Sequence, residues 1–296
     1  MITKPQKTPR TLRTQSLSGW TSNSFVPFVS FVAKNVAVVL LLAAAVACAA
    51  NARRNPPPGT TDPDRFLFER GSEELNRERW LVAREFFRKL TDSYTQSPFR
   101  PDAKLGLGDT YLGEGTPEAI VLAINEFREF LTFYPTHPRA DYAQYKIGMA
   151  YRRQMRAAQR DQTETRSAIA EFERFIDRFP NSRLLPEVRT RLREVRDRLS
   201  ESSYLVGYFY FRQRWYPGAI DRLKSVLKED PGYTRRDAAY YYLGESLVRA
   251  KREAEALPYF ERLVAEFEQS EHLADAQKRI AELKALAQAK PSSPLN

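Results

Sequence analysis

The sequence predicts an all-α solenoid of about five helix pairs closed by one extra C-terminal helix. Two observations predict it. Between residues 64 and 289, Ala, Leu, Arg, Glu, Phe and Tyr recur at three- and four-residue spacings, with only 12 Gly in 296 residues and no alternating β-branched runs; that is helical periodicity. A fixed spacing then repeats along the chain, which marks an array of identical units.

The repeat justifies each pair in turn. Ala123-x3-Phe127-x7-Pro135, Ala168-x3-Phe172-x7-Pro180 and Ala219-x3-Leu223-x7-Pro231 superimpose, and Ala83-x3-Phe87 and Ala256-x3-Phe260 keep the front half. Gly71, Gly207 and Gly244 each stand twelve residues before their Ala, while Gly108 and Gly148 hold the same place with insertions. The Gly on a first helix and the Ala on a second fall where the two helices cross, and the Phe or Leu four residues on fills the space beside them. Pro closes the second helix because it cannot extend the hydrogen-bond ladder. Small, small, large and Pro on two antiparallel helices is the tetratricopeptide pattern. It predicts pairs at 64–78/80–95, 100–114/117–134, 138–158/163–179, 186–212/215–229 and 235–250/252–268, with a capping helix over 271–289. Eight extra polar residues near 155–165 interrupt pair three. The 27 residues from Pro180 to Gly207, against 13 in neighbouring units, predict a long helix there and a first half (64–180) distinct from a second (184–290).

The leader is read separately. Residues 36–47 form an apolar run after Lys34, and Ala45-Val46-Ala47 precede Cys48. A basic start, a short apolar core and small residues before a cleavage point make a secretory signal over 1–47. A cysteine at the first mature position resembles a lipobox, with Cys48 as the acylated residue. The alternative is an uncleaved anchor with Cys48 as an ordinary thiol. As a helix, residues 36–50 would rise only ~22 Å, short of a ~30 Å hydrocarbon core. Residues 48–63, with Pro56-Pro57-Pro58-Gly59, read as a tether, and 291–296 as a tail.

Charge and chemistry narrow the function. The net +10 suggests nucleic acid at first sight. Five of the 47 basic residues lie in 1–47, however, where there is no Asp or Glu, so the rest carries 42 against 37, a net +5. Mixed-sign charges along helices are a solvated surface, so no nucleic-acid partner is expected. One cysteine excludes an intrachain disulfide framework. His137 reads as a turn residue making a structural hydrogen bond, and His272 as a solvated one. No phosphate loop, nucleophile elbow or acid–base pair appears, so the chain is expected to be no enzyme, with no cofactor and no metal. Trp80 and Tyr216, each three residues before its Ala, read as packing residues. Tyr208-Phe209-Tyr210 and Tyr240-Tyr241-Tyr242 cannot all face one core, so at least one of each should be exposed or lie in a groove. This makes Tyr208, Tyr210 and Tyr241 candidate contacts. Arg152, Arg153 and Arg156, read as lying on one helix, could receive a carboxylate.

With Cys48 ahead of five repeats, several motifs add specificity: Tyr134-Pro135-Thr136-His137-Pro138 with Asp141-Tyr142, Phe179-Pro180-Asn181-Ser182, the basic run 191–199, and Thr234-Arg235-Arg236-Asp237-Ala238. In these the chain resembles the BamD family, the tetratricopeptide lipoproteins of the Gram-negative outer-membrane β-barrel assembly machine. The resemblance implies a palmitate-bearing protein anchored by lipid alone in the outer membrane, facing the periplasm. It implies a scaffold that binds the POTRA repeats of BamA, other assembly lipoproteins and unfolded β-barrel precursors. It places Arg236 and Asp237 on the BamA side. Other envelope repeat lipoproteins, a pilus-assembly pilotin or a cell-division coordinator, share the anchor and the repeats.

Overall fold

The computed structural model describes residues 56–57 and 59–289. The signal, Cys48, most of the tether and the tail lie outside them. The chain divides into two units after Thr60. Of the first unit, the described part is a short turn in which the Thr60 hydroxyl donates to the Pro57 carbonyl at 2.6 Å.

From Thr61 the described residues build eleven α-helices and no strand. They are α1 (Pro63–Asn76), α2 (Trp80–Ser93), α3 (Arg100–Glu114), α4 (Pro117–Phe133), α5 (Ala140–Gln154), α6 (Thr163–Arg178), α7 (Leu185–Arg212), α8 (Tyr216–Glu229), α9 (Arg236–Arg249), α10 (Glu253–Glu266) and α11 (Leu273–Ala289). Each helix packs against the next, and α1 also touches α3 as α7 touches α9. Successive pairs therefore stack as tetratricopeptide repeats do.

The predicted crossings are present, with a sharper division of labour. Ala83, Ala123, Ala168, Ala219 and Ala256 are fully buried. A methyl added to Gly71, Gly108, Gly148, Gly207 or Gly244 would stand 2.5–2.8 Å from Phe87, Phe127, Phe172, Leu223 or Phe260 of the same pair. Each glycine is thus small because a ring or a leucine lies flat on its helix.

The turns repeat as closely as the helices. Seven residues after each glycine, Glu78, Gly115, Arg214 and Lys251 take φ values of 58°, 72°, 60° and 57°, a left-handed turn between the two helices of a pair. Pair three differs at this place: Met155 is extended (φ −56°, ψ 136°) and begins the insertion. The helix predicted over 138–158 consequently stops at Gln154. Buried Gln162 organises the loop, donating to the carbonyls of Ala157 and Arg160 at 2.9 Å and accepting from Thr165 at 2.8 Å. The three extra residues of pair two lengthen the start of α4, where the Thr116 hydroxyl caps the Ala119 N–H at 3.1 Å.

At the end of every pair the chain folds back through one further turn. The N–H groups of Ser97, His137, Ser182, Tyr233 and Ser270 donate to carbonyls three residues earlier at 3.0–3.2 Å. Pro follows the helix end in pairs two, three and four, yet pairs one and five make the same turn without it.

α7 has 28 residues. Val188, Leu192 and Val195 in its first part pack with Phe172 and Phe175 of α6. Tyr204 in its second part packs with Leu223, Val226 and Tyr233. One helix thereby serves two cores. Beyond pair five, α11 covers α10 through Ala276 and Leu283.

Candidate functional site

The first helices of pairs one to three and the start of α2 share a groove of about 360 Å³, lined by Leu75, Trp80, Asp109, Tyr142, Lys146 and Arg153 among others. Lys146 pairs with Asp109 at 2.9 Å. The Tyr142 hydroxyl donates to the same carboxylate at 2.9–3.0 Å. Burial, then the Asp109 charge, pushes Tyr142 up to about 12. Burial opposes the Lys146 charge, but Asp109 beside it holds its pKa above the ordinary lysine value. The groove floor is thus a closed, charge-balanced set, while Arg153 is the exposed cation at its edge. The Arg153 guanidinium donates to the Leu112 carbonyl, capping the negative end of α3.

The remaining arginines expected beside it diverge. Arg152 donates to Glu194 of α7 at 2.7 Å. Arg156 lies two residues beyond the end of α5, in the insertion, where its carbonyl accepts from Arg198 at 3.4 Å. Arg152 and Arg156 therefore do not share one helix, because the extended Met155 separates them.

Across α7, α9 and the start of α11 the aromatics form a connected set. Tyr204 stacks on Tyr208 (6.1 Å), and Tyr208 meets Tyr242 edge-on at 4.8 Å. Tyr241 lies parallel to the imidazole of His272, 4.4 Å away and 3° from coplanar. His272 is thus a packed residue, its side chain 12% exposed, contrary to the solvated position expected. The two aromatic trios part company: Tyr240 is buried and Tyr241 and Tyr242 half-buried, while Phe209 is 56% exposed. Tyr210 is half-buried and meets exposed Trp215 edge-on at 4.6 Å.

Arg236 and Asp237 have internal partners. Asp237 accepts from the Ser270 hydroxyl at 2.6 Å. The same bond recurs in alternate pairs, Ser97 to Asp64 at 2.6 Å in pair one and Ser182 to Asp141 at 2.5 Å in pair three. In each case an Asp in the first turn of a first helix holds the turn that ends its own pair. Arg236 donates to the Pro231 carbonyl, reaches Glu266 at 3.5 Å and covers the Phe267 ring at 5.3 Å. Arg100, eight residues before its glycine as Arg236 is, bonds the Thr91 carbonyl at 3.2 Å and so ties pair two to pair one.

Sequence reasoning passed over a third feature, the polar clamp between α7 and the α8–α9 turn. Arg193 and the Ser200 hydroxyl both donate to Asp230, at 2.9 and 2.5 Å. Asp197 accepts from the Thr234 N–H at 3.0 Å and Glu201 from Arg235 at 3.0 Å. Arg193 and the Ser200 hydroxyl hold Asp230 below the usual carboxylate range against its burial. The Asp seven residues before Gly71, Gly148 and Gly244 was a legible signal for the turn bonds; the clamp has no repeating signal because pair four alone carries the lengthened helix.

Among the described residues there is no group of three or more His, Cys, Asp or Glu placed to hold a metal, and no helix long and apolar enough to cross a membrane. The profile of the outer-membrane lipoprotein family YfiO matches residues 60–251, and a tetratricopeptide repeat profile matches residues 238–270. Among curated proteins, the outer membrane protein assembly factor BamD of Caulobacter vibrioides is 27% identical over 204 residues, 67% of this chain and 66% of that one. The protein of the same name from Vibrio cholerae is 24% identical over 179 residues, 57% of this chain and 73% of that one. The chain spans about two thirds of the length of these relatives. Among solved structures, the TPR2AB domain of yeast Sti1 in its pHSP90 complex overlaps 76% of this chain and 84% of its own at 13% identity, with a TM-score of 0.45.

Proposed function

Because the chain belongs to the YfiO family of outer-membrane lipoproteins, we propose that it is a non-catalytic scaffold of outer-membrane β-barrel assembly, tethered by acylated Cys48 and facing the periplasm. The observation that carries this reading is the family match from residue 60 to residue 251, which takes in every helix from α1 to α9. BamD is the assembly factor named in the relatives. In this reading the second half docks on the POTRA repeats of BamA and on the other assembly lipoproteins, and the groove of the first half receives unfolded precursors.

The geometry supports a scaffold in physical terms. α7 belongs to both cores and is clamped to the α8–α9 turn, so a load on one half is carried by a continuous helix of roughly 42 Å. The groove offers shape, an Asp109–Lys146–Tyr142 floor and an edge cation in Arg153, together with Arg152 and Arg156 further out. Tyr208, Tyr210 and Tyr241 supply amphipathic surface to a partner of the second half. Arg236 and Asp237 act on that partner by holding pair five in place.

The test is affinity capture from solubilised envelopes with partners identified by mass spectrometry, run beside palmitate labelling. Retention of BamA, with label lost in Cys48→Ala, is the expected result. Capture of secretin or cell-division components without BamA would overturn the assembly reading, and label unchanged in Cys48→Ala would overturn the anchor.

A further inference from the structure

The corner where α7 turns into α8 is built unlike the rest of the surface. Val206, Phe209 and Tyr210 share one face of α7 by their three- and four-residue spacing. Val206 is 40% exposed, Phe209 56% and Trp215 54%. The rings are continuous: Phe209 lies 5.9 Å from Tyr210, and Tyr210 meets Trp215 edge-on at 4.6 Å. Trp215 is seated on the start of α8, where a methyl on Gly218 would come within 2.5 Å of its ring. The patch is therefore held in place, which lowers the entropy lost on binding.

Its charge is one-sided. From Ser202 to Ile220 there is no Asp or Glu, while Arg212 and Arg214 lie within it, both exposed. Arg212 donates to the Tyr208 hydroxyl at 3.3 Å and has no ion-pair partner among the described residues. Among the described residues Arg214 has no ion-pair partner. Elsewhere arginines are mostly spent internally, as Arg193 is on Asp230 and Arg279 on Glu245. Solvent-facing aromatic rings beside two exposed guanidinium groups, neither of them in an ion pair among the described residues, have the composition of an interface centre, in which Trp, Tyr and Arg carry most of the binding energy.

We infer that Phe209, Tyr210 and Trp215, flanked by Arg212 and Arg214, form a docking site for an acidic protein segment that presents aromatic or large aliphatic side chains between carboxylates. The rings take the apolar side chains and the two arginines take the carboxylates. Arg214 is well suited to this, because its left-handed backbone (φ 60°) projects it from the tight α7–α8 turn beside Trp215. The site stands on this corner alone and does not require the occupant to be BamA.

The experiment uses the full chain and a fluorescein-labelled peptide alternating Glu with Phe and Leu, with a Lys-for-Glu peptide as control, read by fluorescence anisotropy. The acidic peptide should bind, and the Lys peptide should bind at least about tenfold more weakly. Trp215→Ala should weaken the acidic peptide about thirtyfold, a loss typical of an interface centre. Phe209→Ala, at an exposed helix position that accepts Ala, should weaken it about tenfold while far-UV circular dichroism stays unchanged. The double variant Arg212→Glu/Arg214→Glu should reverse the preference between the two peptides. Equal binding of both peptides, or unchanged affinity in Phe209→Ala and Trp215→Ala, would overturn the proposal. Two parallel measurements would also overturn it. One is sedimentation showing a dimer that Trp215→Ala abolishes, which would assign the patch to a second copy. The other is binding to phosphatidylglycerol vesicles lost in the same variant without any peptide binding, which would assign it to a lipid surface.

Discussion

Asp237 separates a residue that touches a partner from one that shapes the surface a partner touches. Its carboxylate accepts from Ser270 at 2.6 Å and sits in the first turn of α9. A hydrogen bond to a charged group contributes about 1.5–3 kcal/mol, and a carboxylate at a helix start about 0.3–1 kcal/mol. Asp237 is only half-buried, so the lower ends apply, and Asp237→Ala should cost about 2 kcal/mol. Asp237→Asn keeps an oxygen that can accept from Ser270 and should cost under about 1 kcal/mol. The Ser270 oxygen also accepts from the His272 N–H at 3.2 Å, so Ser270→Ala should cost about 1–2 kcal/mol, with roughly 1 kcal/mol of coupling in the double variant. Solenoids can unfold in sections, so urea titration by circular dichroism is paired with hydrogen exchange of the first α9 turn and residues 267–273. Unchanged exchange in Asp237→Ala would refute the lock. Native stability in Asp237→Asn combined with loss of BamA capture would refute the indirect role and put the charge itself at the partner.

Further expectations follow from the packing and the charges. Gly148→Ala would normally stabilise a helix by about 1 kcal/mol, but its methyl would meet the fully buried Phe172 ring at 2.5 Å. Overpacking of about 1–3 kcal/mol should win at so short a distance, leaving a net loss of stability that Phe172→Leu partly relieves; a more stable Gly148→Ala would contradict the crossing geometry. Burial raises Tyr142 and Tyr242 to about 12 and raises Tyr204 and Tyr233 further. Folded pKa values above the unfolded value of about 10 mean that the unfolded chain releases these protons first. Stability should thus be fully present below pH ~10 and fall as pH rises from there; a melting temperature flat across that window would count against buried hydroxyls. Arg193→Ala leaves half-buried Asp230 with the Ser200 hydroxyl but without its cation and should destabilise by about 1–3 kcal/mol, with exchange rising first in the α8–α9 turn. Exchange rising uniformly over all pairs would argue against a local clamp.

The repeat was legible because close packing leaves little choice. Only glycine fits beneath Phe127 or Phe172, so its spacing from Ala123 or Ala168 shows in the sequence. Helix ends were legible to within a few residues wherever Pro or a left-handed turn stops the chain. The end of α5 was not, because Arg and Gln favour helix while Gln162 instead satisfies carbonyls of a loop. Candidate residues were less legible. Composition marks Arg236, Asp237 and Tyr241 as conspicuous, but whether a polar group is spent on Pro231, Ser270 or His272 depends on tertiary contacts. Trp215 was hidden for a similar reason: Tyr216, its neighbour, occupies the recurring packing place, and the exposure of Trp215 arises from the turn geometry.

The central claim, that this chain is a working scaffold of β-barrel assembly, is tested most directly by depleting it and measuring folded outer-membrane porins by their heat-modifiable migration. The account predicts that folded porins fall together and are restored by the wild-type chain but not by Cys48→Ala. Undiminished folded porins after full depletion would contradict it.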